Sequence, residues 1–289
     1  MTVLEAIQKS ADFLGKKGVE SARLNAELLL AHVLKLPRMK LYLNFERALT
    51  APETDGLRDL VKRRGAREPL QHITGSTSFC GYEIAVSRSA LVPRPETEML
   101  AEMGWSFLAE RKAQHAESES GAPTSLDFGT GTGCIAIALA MKCPGAQVTA
   151  LDVSAEALAL ARQNAEANKA RIEFLQGDGF AALPGKTSFD LIASNPPYIA
   201  SAEIETLDPE VRDFDPRGAL DGGADGLDFY RRLAREAVGH LKPGGKIMME
   251  FGDGQAEAIK TLFEGEKWIV ETVKEDYSHR ARILVARRS

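Results

Sequence analysis

The amino-acid sequence predicts an α/β fold in which helices cover both faces of a largely parallel sheet, preceded by a small helical domain that a β-hairpin joins to it. From residue 126 onward, short apolar segments alternate with helical ones, which is the pattern of such a sheet. The first seventy residues have helical periodicity instead. With 289 residues, 44% of them hydrophobic, the chain is long enough to bury a sizeable core.

Three helices are predicted in the N-terminal part. The segment TVLEAIQKSADFLGKKG places apolar residues at helical spacing and stops at Gly15 or Gly18. The second helix, SARLNAELLLAHVLKL, starts with Ser21 as its N-cap, and the third starts near Pro52. We therefore predict a helical bundle over residues 1–72 that binds a partner.

A hairpin and a polar loop are predicted next. The segment ITGSTSFCGYEIAVS is rich in β-branched and aromatic residues broken by glycines, which predicts a β-hairpin linker over residues 73–93. The segment ERKAQHAESESGAPTS (110–125) is polar and of low complexity, so we predict a loop there before the next strand.

The remaining residues, 94–289, are predicted to form the sheet domain. Three short strands lie within 126–178, FDLIASNPPYI contains a fourth, and a fifth lies in KIMMEFG. The C-terminal KWIVETVKEDYSHRARILVARR predicts a closing antiparallel pair. Ligands of parallel sheets bind at the carboxyl ends of the strands, so the motifs there are candidate sites.

Composition disfavours several function classes. No apolar run approaches the ~18 residues of a membrane span, and the N-terminus lacks the pattern of an export signal. The cysteines form no CxxC pair and the histidines no HxxxH spacing, so we expect neither a disulfide nor a metal centre. These features together predict a cytoplasmic protein.

Charge is unevenly placed along the chain. The net charge of −5 disfavours a general nucleic-acid coat, but residues 1–70 hold 13 Lys and Arg against 9 Asp and Glu. The cluster VKRRGAR (61–67) supplies most of that excess. It is either a solvated helix face or a contact for an acidic or RNA-bound partner.

A glycine-rich loop, LDFGTGTG, runs from a predicted strand into a helix. Gly129, Gly131 and Gly133 let the backbone turn sharply and approach a ligand closely. The dinucleotide fingerprint places Gly or Ala where this chain has Cys134, so NAD is disfavoured. The spacing D-x-G-x-G-x-G, which begins at Asp127, favours S-adenosylmethionine (SAM).

Two more acids follow predicted strands. Asp152 ends the second strand and could accept hydrogen bonds from both ribose hydroxyls of SAM, because Ser154 and Glu156 already serve the N-terminus of the next helix. Asp178 ends the third strand and could accept from the adenine amino group. Phe180 either covers the adenine ring or is a core aromatic.

A rigid corner, Asn195-Pro196-Pro197-Tyr198, follows the fourth strand. An amide or exocyclic amine nitrogen is a poor nucleophile because its lone pair is delocalised. The Asn195 side-chain carbonyl and the Pro196 backbone carbonyl can accept its two N–H groups and turn its lone pair towards a methyl donor. Tyr198 can lie against the flat face of the substrate group. The corner therefore predicts transfer of a methyl group to a planar nitrogen.

These motifs resemble the release factor glutamine methyltransferase family, an N-P-P-Y branch of the class I, SAM-dependent methyltransferases. The likeness spans nearly the whole chain, from AREPLQHITG and FCGYEIAVSRSALVPRPETE through the two site motifs to DPRGALDGGADGLDFYRRL and LKPGGKIMMEFG. It implies a Rossmann-like catalytic domain and methylation of the glutamine in the Gly-Gly-Gln motif of class 1 peptide chain release factors. S-adenosylhomocysteine would be the product.

Site residues follow from the motifs and the resemblance together. Gly129 to Gly133 would hold the methionine part of SAM, and Gly179 or Phe180 would contact the adenine. Arg94 and Glu96 either shape the pocket or dock the hairpin. The predicted cofactor contacts are Asp127, Gly129, Thr130, Gly131, Thr132, Gly133, Asp152, Asp178, Gly179, Phe180 and Asn195; the predicted catalytic and substrate contacts are Asn195, Pro196, Pro197 and Tyr198, with Arg94 and Glu96 on the substrate side.

Two other functions remain open from the sequence. A nucleic-acid amine methyltransferase would use the same corner, but the acidic character beyond residue 70 makes stable nucleic-acid binding unexpected. A SAM-sensing or scaffold protein would not need the complete Asn-Pro-Pro-Tyr corner. No predicted helix has a spare apolar face, so we expect a monomer.

Overall fold

The computed structural model describes residues 1–118 and 121–289, which divide into two compact units. The first unit contains residues 1–76 and 208–214, and the second contains residues 77–207 and 215–289. The predicted helical domain ended at residue 72 and did not include the segment 208–214. That segment leaves the second unit ten residues after Tyr198 and returns at Asp215.

The first unit is helical. Its core contains fully buried aliphatic side chains such as Ile7, Leu14 and Leu30. Thr2 and Thr50 each form a capping box at the start of a long helix. Its helices are α1 (Val3–Lys16), α2 (Ala22–Leu34), α3 (Arg38–Leu41), α4 (Ala51–Gly65), α5 (Leu70–Thr74) and α9 (Pro209–Arg212).

Of two helix ends predicted from the sequence, one is confirmed and the other is wrong. Gly18 follows α1 with a φ of +74°, as expected of a glycine that ends a helix. Ser21 is not the N-cap that we predicted. Its φ of 48° lies in the left-handed region and its side chain makes no capping hydrogen bond, because a capping side chain needs extended backbone.

The basic cluster 61–67 is largely paired within this unit. Arg64 Nη2 lies 2.9 Å from Glu210 Oε1, and Arg67 Nε donates to the same oxygen at 2.6 Å. Burial opposes the ionisation of Glu210, but hydrogen bonds from Arg67 and Arg64 lower the pKa of its carboxyl. Arg63 pairs with Glu68 at 2.6 Å. These arginines therefore serve internal ion pairs, which favours the simpler interpretation of the cluster.

The predicted hairpin follows, and its strands β1 (Ser76–Phe79) and β2 (Tyr82–Ala85) form a separate two-stranded sheet. The second unit begins within this hairpin, at Thr77. Helix α6 (Pro95–Ser118) follows. Residues 119 and 120 lie outside the described part. The loop predicted over 110–125 is wrong for Thr124 and Ser125, which begin the strand Thr124–Phe128, and for the helical segment 110–118. Ala, Glu, Lys, Arg and Gln dominate that segment and are good helix formers, so polarity alone misled the prediction.

The predicted α/β fold is confirmed. Across the described residues, seven strands pair in the order β5-β4-β3-β6-β7-β9-β8, with β9 antiparallel to β7 and to β8 and the other pairs parallel. The strands are β3 (Thr124–Phe128), β4 (Gln147–Asp152), β5 (Ile172–Gln176), β6 (Phe189–Ser194), β7 (Leu241–Glu250), β8 (Trp268–Glu275) and β9 (Ala281–Arg288). The remaining helices are α7 (Cys134–Lys142), α8 (Ala155–Ala167), α10 (Asp228–Glu236) and α11 (Ala256–Gly265).

The strand order determines where a ligand binds. The chain runs outward from β3 through β4 to β5, then crosses back to β6 on the other side of β3. The connections therefore diverge between β3 and β6, which opens a crevice at the carboxyl ends of these strands. Both faces of the sheet are covered, since α6 and α7 pack in one apolar cluster and α10 and α11 in the other. The glycine loop and the proline corner both leave the sheet at this crevice.

Two kinds of feature are absent from the described residues. In residues 1–118 and 121–289, no helix has both the length and the apolar character needed to cross a membrane. The same residues contain no cluster of His, Cys, Asp and Glu side chains that could hold a metal ion.

Candidate active site

A cavity of about 240 Å³ lies at the carboxyl ends of β3, β4 and β6. Its wall combines the glycine loop, the ends of neighbouring strands and the segment before α6. Among the predicted site residues, its lining includes Arg94, Gly129, Thr130, Gly131, Thr132, Asp152, Asp178, Gly179, Asn195 and Pro197. Six other predicted residues are not part of the lining: Glu96, Asp127, Gly133, Phe180, Pro196 and Tyr198.

The glycine loop turns as predicted. Gly129, Gly131 and Gly133 have φ values of +75°, +55° and +80°, a region that side-chain-bearing residues rarely adopt. A Cβ on Gly133 would also lie 3.0 Å from the Cβ of Ala161 in α8. The amides of Gly129 and Thr130 both donate to the Leu151 carbonyl, which ties the loop to the end of β4.

Asp127 lies beneath this loop instead of in the cavity. Its carboxyl is fully buried, and Oδ2 accepts from the Thr130 hydroxyl at 2.6 Å and from the Ala136 amide at 3.1 Å. No described residue bonds to Oδ1. Burial raises the pKa of Asp127 to about 7. The structure therefore supports a role for Asp127 in holding the loop to the start of α7.

Replacing Asp127 by asparagine should change how stability depends on pH. Because the pKa rises from 3.8 in an unfolded chain to about 7 in the fold, the unfolded state loses its proton first as pH rises. Between those values, the free energy of unfolding of the wild type should fall relative to Asp127→Asn by up to about 1.4 kcal/mol per pH unit. Chemical denaturation at several pH values measures the difference. Asp12→Asn, at an exposed carboxyl, controls for the lost charge, and parallel profiles for wild type and Asp127→Asn would contradict the assignment.

Asp152 joins the glycine loop to the helix that follows β4. Its Oδ2 accepts from the Gly131 amide and its Oδ1 from the Ser154 amide, each at 2.9 Å. The Ser154 hydroxyl caps α8, as predicted. A carboxylate offers about four acceptor positions, so Asp152 retains capacity for two ribose hydroxyls on the cavity side.

The residues after β5 divide between cavity and core. Gly179 lines the cavity, whereas Phe180 is buried and packs on Phe128 and on His240, with ring centroids 4.9 and 4.8 Å apart. Phe180 is therefore the core aromatic of the two alternatives. A Cβ on Gly179 would force the Arg232 guanidinium to move, and the φ of +72° at this position also favours glycine.

Helix α10 supplies cavity residues that sequence reasoning missed. Arg232 forms an ion pair with the Asp178 carboxylate, and its Nη2 donates to the Asp178 carbonyl at 2.8 Å. The Asp178 carboxylate, predicted to accept from adenine, is thus shared with Arg232. Phe229 also lines the cavity and supplies an aromatic face there. Nothing in the local sequence of α10 identified these residues, because their contacts depend on the fold.

Asn195 has the most informative geometry in the site. Its Nδ2 donates to the Thr97 hydroxyl at 3.1 Å. Its Oδ1 is buried and has no hydrogen-bond partner among the described residues. A buried acceptor without a partner costs free energy, so such groups concentrate where a ligand completes them.

The rest of the corner is held firmly. Pro197 lines the cavity, while Pro196 is buried behind it. No described residue donates a hydrogen bond to the Pro196 carbonyl. Tyr198 is half-buried in the core against Gly252, and its carbonyl accepts from Gln255 at 2.9 Å. Tyr198 is therefore not part of the cavity wall, where its predicted stacking on a substrate group would require it to be.

The two residues predicted from the segment around the start of α6 also differ in position, since one lines the cavity and the other does not. Arg94 lines the cavity and donates to Asp215 Oδ2 at 2.8 Å. Glu96 is exposed in the first turn of α6, where an acid stabilises the helix N-terminus. Sequence reasoning missed Thr97, which is buried beside both of them and contacts Asn195.

Comparison with family models identifies two segments. Residues 5–75 match the PrmC N-terminal domain. Residues 107–208 match the methyltransferase small domain. The glycine loop, Asp152 and the proline corner all lie within the second match.

Solved structures of similar fold are methyltransferases. One from Pyrococcus furiosus is 22% identical with a TM-score of 0.50, over 72% of this chain and 90% of that chain. The T. thermophilus 16S rRNA methyltransferase RsmC, in complex with AdoMet and guanosine, is 21% identical with a TM-score of 0.50, over 74% of this chain and 50% of that chain. At these identities the likeness concerns the fold.

Relatives of known name match over nearly their whole length. The release factor glutamine methyltransferase of Geobacter sulfurreducens is 47% identical over 91% of this chain and 88% of its own. The enzymes of the same name from Chlorobaculum tepidum and Koribacter versatilis are 42% and 38% identical, over 96% and 100% of this chain and 94% and 99% of theirs. This chain is therefore a methyltransferase that belongs to the release factor glutamine methyltransferase family.

Proposed function

We propose that this enzyme transfers a methyl group from SAM to the side-chain amide nitrogen of a glutamine in peptide chain release factors, a protein-(glutamine-N5) methyltransferase activity. The unpartnered Oδ1 of Asn195 carries the proposal. It is a buried acceptor without a partner on a residue that lines the cavity, which supports a role in accepting an N–H of the substrate amide. Membership of the family supports the choice of substrate.

Several independent features of the cavity wall support SAM as its ligand. The positive-φ glycines bring backbone to the cavity wall without side chains. Asp152 retains acceptor capacity for the ribose, and Gly179 with Phe229 offers a flat surface for the adenine. When bound, SAM supplies an electrophilic methyl carbon on its sulfonium. S-adenosylhomocysteine is the remaining product.

The chain's own residues prepare the substrate nitrogen. Asn195 Oδ1 accepts one N–H of the glutamine amide and the Pro196 carbonyl accepts the other. Two fixed acceptors favour a pyramidal nitrogen whose lone pair leaves the amide plane. Proline holds the corner in one backbone conformation, so little freedom is lost on binding.

No general base is needed before transfer, since the proton can leave after the nitrogen becomes cationic. The carboxyls of Asp127 and Glu250 have pKa values raised to about 7 by burial. Neither carboxyl is part of the cavity wall. We therefore assign no proton-transfer role to either.

The finer proposal concerns the partner. We infer that the glutamine is that of the Gly-Gly-Gln motif of class 1 release factors, and that the helical unit (1–76 with 208–214) contributes to binding them. The unpaired thiols of Cys80, Cys134 and Cys143 are compatible with a reducing cytoplasm, where we place the reaction. We expect a monomer without stable nucleic-acid binding.

A labelling experiment tests the proposal. The purified enzyme, methyl-labelled SAM and a class 1 release factor should give label on the Gly-Gly-Gln glutamine and a mass shift of one methyl group. A release factor with that glutamine replaced by alanine is the matched control and should stay unlabelled. Absence of transfer beside a competent control enzyme, or label on RNA instead, would overturn the assignment.

A further inference from the structure

The proline corner is anchored at both of its ends. At the entry, Ser194 pairs with Met249 in the sheet, and its hydroxyl donates to the Phe128 carbonyl at 2.7 Å. At the exit, the Tyr198 carbonyl accepts a hydrogen bond from Nε2 of Gln255 at 2.9 Å. The backbone of the corner therefore runs between two points that the surrounding fold holds in place.

Proline alone does not fix the direction of the acceptor at the corner. Its ring fixes φ, but rotation about ψ still turns the carbonyl of the same residue. Pro196 and Pro197 also lack an N–H, so neither can donate a backbone hydrogen bond that would hold the corner. The direction of the Pro196 carbonyl, the second acceptor in the proposed reaction, therefore depends on how the chain is held after the corner.

The side-chain amide of Gln255 has backbone partners at both ends. Its Oε1 accepts from the Gly252 amide at 2.9 Å. Its Nε2 donates to the Tyr198 carbonyl and, more weakly, to the Gly226 carbonyl at 3.5 Å. Because a backbone N–H only donates and a carbonyl only accepts, these contacts determine which end of the amide faces the corner. Gln255 therefore joins the corner to the turn after β7 and to the segment before α10.

The segment before α10 also holds the residue that follows the corner. The Ile199 amide donates to the Leu220 carbonyl at 3.0 Å, and the Ile199 carbonyl accepts from the Gly222 amide at 2.8 Å. Gly226 passes so close to the corner that a Cβ there would clash with the Tyr198 carbonyl oxygen. Backbone contacts therefore hold the exit of the corner together with the glutamine side chain.

We infer that Gln255 is a positioning residue, which holds the exit of the corner so that the Pro196 carbonyl faces the substrate amide. The inference rests on the proposed function. Gln255 is not part of the cavity wall, so it acts through the corner and not by contact with substrate or cofactor. Without its hydrogen bond, the Tyr198 carbonyl would lose its side-chain partner, and the Pro196 carbonyl would be free to turn away from the substrate nitrogen.

Two substitutions of Gln255 separate this role from a purely structural one. Gln255→Glu keeps an oxygen that accepts from the Gly252 amide, but it places a carboxylate oxygen against the Tyr198 carbonyl. An acid is favourable at this position, the N-cap of α11, so the helix should not lose stability. Gln255→Met removes both hydrogen-bonding ends and adds no charge.

Both variants should methylate the release factor more slowly. We expect kcat to fall roughly tenfold or more, because the loss of one hydrogen bond leaves the second substrate acceptor without a fixed direction. The KM for the release factor and the Kd for SAM, from calorimetry, should stay unchanged, since Gln255 lines neither binding surface of the cavity. Thermal melting confirms that each variant is folded.

A second pair of variants tests the exit of the corner from its other side. Gly226→Ala places a methyl group against the Tyr198 carbonyl and should lower kcat by a similar factor. Gly254→Ala is the matched control. Its φ of +79° is close to the +75° of Gly226, so the backbone strain is comparable, but a Cβ there has open space among the described residues. This control should retain wild-type kcat.

Distinct outcomes identify the step that is wrong. Wild-type kcat in Gln255→Glu beside a low kcat in Gln255→Met would assign the side chain to the turn after β7 and overturn the positioning role. Wild-type kcat in both, loss of SAM affinity in parallel with kcat, or equal kcat for Gly226→Ala and Gly254→Ala would overturn it as well. A wild type that leaves the release factor unlabelled would instead overturn the proposed function, and no variant is needed to see that result.

Discussion

Asn195→Ala should almost abolish methyl transfer while it leaves SAM binding intact. The substitution removes a buried acceptor that has no other partner, and the Thr97 hydroxyl is left with space in its place. The loss of one pre-organised hydrogen-bonding group in an active site typically lowers kcat by about a hundredfold or more. Single-turnover labelling of a release factor measures the rate, and calorimetry measures the Kd for SAM.

The control for this variant is a surface amide. Gln163→Ala removes an exposed side chain on α8 and should retain wild-type kcat. Thermal melting of Asn195→Ala should match or exceed that of the wild type, since an unsatisfied buried oxygen is removed. Unchanged turnover in Asn195→Ala would reject the role of its carbonyl and, with it, the reason for a rigid corner after β6.

The main features of the site could be predicted because they are local in sequence. The loop after β3 needs three residues at positive φ, and glycine is the residue that adopts it without strain. The end of β4 needs an acceptor for the exposed amides of the loop, and Asp152 supplies it. Two prolines after β6 stiffen the chain whatever surrounds them. Each signal lies within a few residues of the group that it positions.

Other parts depend on contacts between distant residues. Thr97 meets Asn195 across 98 positions of sequence, and Arg232 meets Asp178 across 54. The sequence predicted that Gly179 or Phe180 contacts the adenine, but it did not show that the Arg232 guanidinium lies beside Gly179. Such a contact is visible only when α10 has packed beside the loop after β5.

The bounds of the helical unit also depend on contacts between residues that are distant in sequence. Its composition predicted helices, but nothing predicted that residues 208–214 would join it, because that depends on Arg64 and Arg67 meeting Glu210. The segment follows the proline corner after β6 closely in sequence. Ion pairs between distant residues have no periodic pattern that a sequence reading can detect.

Asp152→Ala should weaken SAM binding by roughly a hundredfold or more, since the two charge-assisted hydrogen bonds that we propose between Asp152 and the ribose would be lost together. A second effect adds to the first, because the Gly131 amide loses its acceptor and the glycine loop loses one of its hydrogen bonds to the end of β4.

Glu156→Ala is the matched control for Asp152→Ala. It removes another acid from the same segment, at the exposed first turn of α8 and outside the cavity wall, and should retain wild-type affinity. Calorimetric titration with SAM measures both variants. The alternative function of Asp152 is to serve only the N-terminus of α8, and that role predicts a lower melting temperature without a change in Kd. Wild-type affinity in Asp152→Ala would therefore assign this carboxylate to the helix and leave the ribose to another residue of the cavity.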